Sequence, residues 1–271
     1  MPHQDKSTCQ GTVRVDGCDL AWTEKGTGQP VLFIHGTAAP IWGDLCDRVA
    51  STSRAIRYDR RSFGASAHRP IADLSRHAED AAALLEALDA RGAIIVGWSI
   101  GGIIAAELAA RQPALVRGLV LLEPPLWAKK HPDLNLFNGV VLSIAWGFLA
   151  GPAKGGARFS RWVFRERSGA NGLATAGAAV QEQIAANAAA IGVEIRGGTG
   201  EHLSSADLAG IRTPTIVFVG DQSQEFFAEG GQRLASAIPN SRLSAVKGAS
   251  HFLQLERGEQ IAGAIAALTT R

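Results

Sequence analysis

The chain has 271 residues, 46% of them hydrophobic and 19% charged, with a formal net charge of +2. That length carries one large α/β core with an excursion and needs no second domain. A charge balance so near zero gives no ground for a nucleic-acid or membrane partner. Three cysteines, Cys9, Cys18 and Cys46, are too few and odd in number for a disulfide framework, and none has metal-ligand spacing. Free thiols and no metal site are expected.

Residues 1–10 are polar, with no apolar run. No secretory leader is read there, and the expected compartment is the cytoplasm. Residues 12–15 and 20–24 predict an antiparallel hairpin around Asp16-Gly17. A fully apolar third strand over 31–34 runs into His35-Gly36-Thr37-Ala38-Ala39. A helix over 42–51, a strand over 55–58 and a helix over 74–89 follow; the last has Ala81, Leu84, Leu85 and Leu88 at helical spacing. Residues 93–96 and 119–122 read as buried strands on either side of a helix over 103–111. Strands at 216–219 and 243–246 and a closing helix over 260–268 complete the pattern. Strands alternating with helices imply a mostly parallel sheet with helices on both faces.

The alternation breaks between residues 124 and 207. The expected organisation is therefore a core of residues 1–125 and 206–271 around a helical cap of residues 126–205, including a helix over 177–191. Residues 134–153 hold no charge, a run long enough to span a membrane. Asn135, Asn138, Ser143, Pro152 and three glycines within it argue instead for an apolar cap helix over the active site. The excursion also carries Trp127, Phe137, Trp146, Phe148, Phe159, Trp162 and Phe164. Most are expected in the cap core. A substrate pocket is expected from Trp98, Trp127, Phe137, Trp146, Phe148 and Trp162. Gly197-Gly198-Thr199-Gly200 reads as a loop, without the strand and helix that a phosphate cradle requires.

The segment Gly97-Trp98-Ser99-Ile100-Gly101 joins an apolar strand to a helix, with a serine at the apex. This is the G-x-S-x-G nucleophile elbow: a sharp turn lifts the serine hydroxyl to where a base and a substrate can both reach it. A serine needs a base. His251, in the loop after the last strand, is the best placed of the seven histidines. His3 lies in a terminal tail, His68, His131 and His202 lie in polar segments, and His77 is on a helix face. His35 is expected to hold the loop that follows the third strand.

An elbow serine, a later histidine and an early His-Gly loop together resemble the α/β-hydrolase superfamily from about Val13 onward. Residues 57–66 are similar to its D-x-R-G-x-G-x-S segment, departing at Ser62 where glycine is usual. The resemblance implies an eight-stranded, mostly parallel sheet with a helical cap after strand six. It also implies an oxyanion hole from the backbone N–H groups of Ile100 and Thr37. The acid that would orient His251 has two candidate places. In the family it commonly lies three residues past the glycine after strand seven, but that position holds Ser223, and Asp221 comes early. Glu123, directly after strand six, ends an apolar run and needs a partner. Its place 24 residues beyond Ser99 resembles zearalenone-type lactone hydrolases.

These residues imply hydrolysis of a carboxylic ester or lactone with a hydrophobic acyl group, through an acyl-enzyme on Ser99 and without a cofactor. Carbon–carbon hydrolysis of β-diketone-like substrates and cofactor-free perhydrolysis use the same residue types. A receptor that keeps the fold is the non-enzymatic alternative, and a homodimer is left open.

Overall fold

The computed structural model describes residues 8–38, 40–66, 68–126, 134–197 and 203–270. Eight strands form one sheet: β1 (Cys9–Val15), β2 (Cys18–Lys25), β3 (Pro30–Ile34), β4 (Arg54–Tyr58), β5 (Ala93–Trp98), β6 (Val116–Leu122), β7 (Thr215–Gly220) and β8 (Ser241–Val246). Their order is β1-β2-β4-β3-β5-β6-β7-β8. The β1–β2 and β2–β4 pairs are antiparallel, and the pairs from β4 through β3 to β8 are parallel. The expected α/β-hydrolase architecture is present.

Helices α1 (Leu45–Ala50), α2 (Leu74–Ala87) and α3 (Ile100–Arg111) fall within the first half. The segment between β6 and β7 holds α4 (Leu134–Leu136), a π-helical turn over Phe137–Val141, α5 (Leu142–Ala150), α6 (Pro152–Val163), α7 (Gly172–Thr175), α8 (Ala178–Ala186), α9 (Ala188–Glu194) and α10 (Ser205–Gly210). The chain closes with α11 (Glu225–Ala237), α12 (Leu253–Glu256) and α13 (Gly258–Thr269).

The central strands alternate between two layers, which is why they read as unbroken apolar runs. Leu32, Ile34, Ile56, Ile95, Leu119 and Val217 pack with α2 and α3 on one face. Val31, Phe33, Ile94, Val96, Val120 and Phe218 pack on the other with residues of α1 and α13. Strand periodicity places these side chains on opposite faces without further specification.

Three elements differ from the sequence expectation. The uncharged run is not one helix: it passes through the π-helical turn, and Gly151, at φ 98°, ends it before Pro152 opens α6. The helix expected over 177–191 is two, divided at Asn187, whose Oδ1 accepts from the Gly64 N–H at 3.1 Å. Helix α11 has no counterpart in the sequence expectation, and it carries Gly230-Gly231 in its interior. Close packing requires those glycines: a Cβ on Gly230 would come within 2.5 Å of the Pro124 carbonyl. The cysteines are free, and Cys9 and Cys18 pair with Glu24 and Val15 at opposite ends of the hairpin. Among the described residues, no helix is long and apolar enough to cross a membrane.

Candidate active site

Strand β5 delivers Ser99 into a left-handed backbone conformation at φ 55°, immediately before α3. Such a conformation is costly for a residue with a Cβ and persists only where its surroundings hold it. Here the Ser99 N–H donates to the Leu122 carbonyl at 2.8 Å. The flanking glycines are steric necessities. A Cβ on Gly97 would lie 2.4 Å from the Gly101 carbonyl oxygen, and one on Gly101 would lie 2.1 Å from that of Ile34. Ser99 is buried, with 8% of its surface exposed.

The neighbouring strand β6 is followed directly by Glu123, which is fully buried and also left-handed at φ 52°. One carboxylate oxygen lies 2.9 Å from His251 Nδ1, and the other accepts the Gly220 N–H at 2.5 Å. The imidazole is held on several sides. Phe227 stacks on it at 3.8 Å between centroids, and Trp98 and Phe164 tilt against it at 5.4 and 5.6 Å. Trp98 Nε1 also donates to the His251 carbonyl at 2.9 Å. With Nδ1 donating to the carboxylate, Nε2 is left as the free lone pair.

Asp221 stands elsewhere. It is exposed, and its Oδ1 accepts from the Gln222 side chain at 2.9 Å and the Gly248 N–H at 2.7 Å. Those two bonds hold its carboxyl below the usual value. Asp221 thus anchors the loop that carries His251 and does not touch the imidazole. Ser223, at the family's usual acid position, is buried, and its hydroxyl has no partner among the described residues.

The loop after β3 is fixed from below. His35 is fully buried and bridges two backbone groups: Nδ1 to the Gly36 carbonyl at 2.7 Å, and Nε2 accepting the Arg60 N–H at 2.9 Å. Burial, and then the Arg60 charge, push its pKa well down, so the ring is neutral. Arg60 donates to the Gly36 carbonyl at 3.1 Å and to both oxygens of Glu194 at 2.5 and 3.1 Å. Burial pushes the Glu194 carboxyl up, but the Arg60 charge and the His77 and Arg60 hydrogen bonds outweigh it and hold it low. This pair ties α9 to the loop of Thr37. Ile100 opens α3, so its N–H has no partner within the helix.

Ser99 and His251 open onto one narrow cleft, together with Thr37, Ala38, Trp98, Phe159, Ser160, Val163, Phe164 and Ile191. Of the expected pocket aromatics among the described residues, only Trp98 lines it. Phe137, Trp146 and Phe148 are 49%, 49% and 69% exposed and point to solvent. The inward positions of their helical run are the small residues Gly139, Ser143 and Gly147, so the large side chains turn outward. Trp162 is buried against Phe226, at 5.4 Å, instead of facing the serine. Trp127 lies outside the described residues. Phe159 and Phe164, which were not among the expected pocket residues, supply the aromatic wall; sequence spacing alone does not choose between them and their neighbours.

The model of the alpha/beta hydrolase family matches residues 31–264. The chain belongs to the α/β-hydrolase family. Among its α/β-hydrolase relatives is a non-heme chloroperoxidase of Streptomyces lividans, 30% identical over 264 residues, covering 89% of this chain and 92% of that protein. A non-heme haloperoxidase of Rhodococcus erythropolis is 29% identical over 262 residues, covering 87% and 90%. A hydrolase from Pseudomonas aeruginosa superposes with a TM-score of 0.76 at 25% identity, over the full length of both chains. An enol-lactonase from Burkholderia xenovorans superposes at 0.77 with 18% identity, covering 96% of this α/β-hydrolase and all of the other; at that identity the likeness is one of fold. Among the described residues, no group of three His, Cys, Asp or Glu side chains is placed to hold a metal ion.

Proposed function

We propose that the chain is a serine hydrolase that cleaves a carboxylic ester or lactone through an acyl-enzyme on Ser99. The observation that carries this reading is the buried contact of 2.9 Å between His251 Nδ1 and Glu123, beside an elbow serine opening onto the same cleft. In this reading His251 Nε2 takes the Ser99 hydroxyl proton as Oγ attacks the substrate carbonyl. Glu123 fixes the ring and stabilises the imidazolium that forms. The N–H groups of Ile100 and Thr37 receive the developing oxyanion. The imidazolium then returns its proton to the leaving alkoxide. Water, deprotonated by His251, attacks the acyl carbonyl and frees Ser99. The helices of residues 126–205 act as the cap, closing the cleft with Phe159, Val163, Phe164 and Ile191.

The cleft walls named above carry no charge, so a charged acyl group would bury unpaired polar atoms at about 1–3 kcal/mol each. Uncharged acyl groups are the favoured substrates. A fluorophosphonate probe tests the reading. It should leave one adduct, on the peptide containing Ser99; an adduct elsewhere with Ser99 unmodified rules the assignment out.

A second reading rests on the chloroperoxidase and haloperoxidase names of the relatives. The same acyl-enzyme could be resolved by hydrogen peroxide in place of water, giving a peracid. Product analysis with an ester and peroxide separates the two: peracid formed faster than the free acid favours perhydrolysis.

A further inference from the structure

The helical run from Leu134 to Ala150 has its faces reversed. A surface helix normally turns its large apolar side chains to the core. Here the fully buried positions are Leu136, Gly139, Ser143 and Gly147, with Val140 and Ile144 half-buried against the core beside them. They fit against α6 with almost no clearance: a Cβ on Gly139 would fall within the Trp162 ring, and one on Gly155 would sit 2.8 Å from Gly147 Cα. Turned outward are Leu134, Phe137, Trp146, Phe148 and Leu149, with Leu134 77% and Leu149 82% exposed. Folding leaves much of that face in water, and an exposed apolar patch of this kind marks a contact with something else.

We propose that this face docks onto an anionic lipid surface, lying in its plane without crossing it. Charge selects this occupant. From residue 133 through 166 the sequence has four basic residues, Lys154, Arg158, Arg161 and Arg165, against two acidic ones at its ends, Asp133 and Glu166. The cations reach the patch itself. Arg158 Nη2 donates to the Asn138 carbonyl at 3.4 Å, and the Arg196 guanidinium lies 4.2 Å from the Phe148 ring centroid. A net charge of +2 for the whole chain averages over this local excess. A second copy docking by a two-fold axis would set these arginines against themselves, whereas lipid phosphates would neutralise them. An apolar stripe bordered by arginines is the pattern of a helix lying in a lipid interface.

The test is co-flotation with vesicles of phosphatidylcholine alone or mixed with phosphatidylglycerol, reading the tryptophan emission of the protein against that of a Trp146→Phe variant. The protein should float with the mixed vesicles only, with a blue-shifted emission. Phe148→Ser with Leu149→Ser should weaken binding about tenfold or more, and Arg158→Gln about fivefold. Both variants should keep the wild-type circular dichroism and hydrolysis of a water-soluble ester. Failure to float, equal binding to phosphatidylcholine alone, or binding unaltered in the Phe148/Leu149 variant overturns the proposal. So does a vesicle-free dimer that this variant converts to monomer, which would assign the face to a second copy.

Discussion

Ser99 and Glu123 are the same step taken on neighbouring strands. Trp98 pairs with Leu122 in the β5–β6 ladder, and the next residue of each strand turns left-handed, at φ 55° and 52°. The Ser99 N–H donates to the Leu122 carbonyl, joining the two turns. Two strained non-glycine residues side by side at strand ends are a place where folding has been made costly, and such sites cluster where chemistry occurs.

If Ser99 is the nucleophile, Ser99→Ala should lower kcat on an activated ester by about 10⁴-fold or more. The melting temperature should stay near that of the wild type, since a buried hydroxyl is removed without a large cavity. A residual rate within tenfold of wild type would assign the attack to another group.

Glu123→Gln should cost roughly 10²- to 10⁴-fold in kcat, because a neutral amide cannot stabilise the imidazolium. Asp221→Asn should cost less than about tenfold, since Asp221 only pins the Gly248 loop. Side-by-side kinetics of the two variants decide the acid; the opposite ranking would move it to the loop after β7.

Gly36 lies under the elbow. A Cβ there would meet Ser99 Cβ at 2.9 Å and the Trp98 carbonyl at 3.1 Å. Gly36→Ala should therefore destabilise by about 1–3 kcal/mol through overpacking. It should also reduce kcat by displacing Ser99. Urea denaturation alongside ester kinetics checks both effects.

Arg60 and Glu194 are both buried, with side chains 0% and 3% exposed. Glu194→Ala leaves the guanidinium unpaired and should cost about 3–5 kcal/mol. Replacing both residues with apolar ones of similar volume should cost much less. Equal losses for the single and double changes in denaturant midpoint would deny the pair its role.

Acid should destabilise the fold below the ordinary imidazole value of 6.5. Burial, and then the Arg60 charge, lower the pKa of both His35 and His77 in the folded state. Between the folded and unfolded values, the unfolded chain binds the proton and the folded chain does not, so stability falls as pH falls. Glu194, held low, keeps its contribution through this window and loses it only at more acid pH. Each histidine adds a slope of up to about 1.4 kcal/mol per pH unit. Melting temperatures from pH 7.5 to 5 should fall, and His35→Gln should flatten part of that fall. A flat profile in the wild-type protein would contradict the argument.

The sequence by itself determined the sheet, the elbow and its serine. Buried parallel strands write themselves as unbroken apolar runs, and a turn that admits no Cβ at Gly97 or Gly101 must show glycine there. It also offered Glu123 and Asp221 as candidates for the acid, but could go no further. Both follow strands, and only the packing of β6 beside β7 sets one carboxylate against His251 and turns the other toward Gly248. The wall of the cleft was decided by tertiary structure alone. The aromatics of the inserted segment fall on several sides of their helices, and sequence spacing does not reveal which side faces in. A seam of Gly139, Ser143 and Gly147 took the inward side against α6, leaving Phe137, Trp146 and Phe148 to solvent and the cleft to Phe159 and Phe164. Close approach between helices is a property of two surfaces, and a single stretch of sequence contains only one of them.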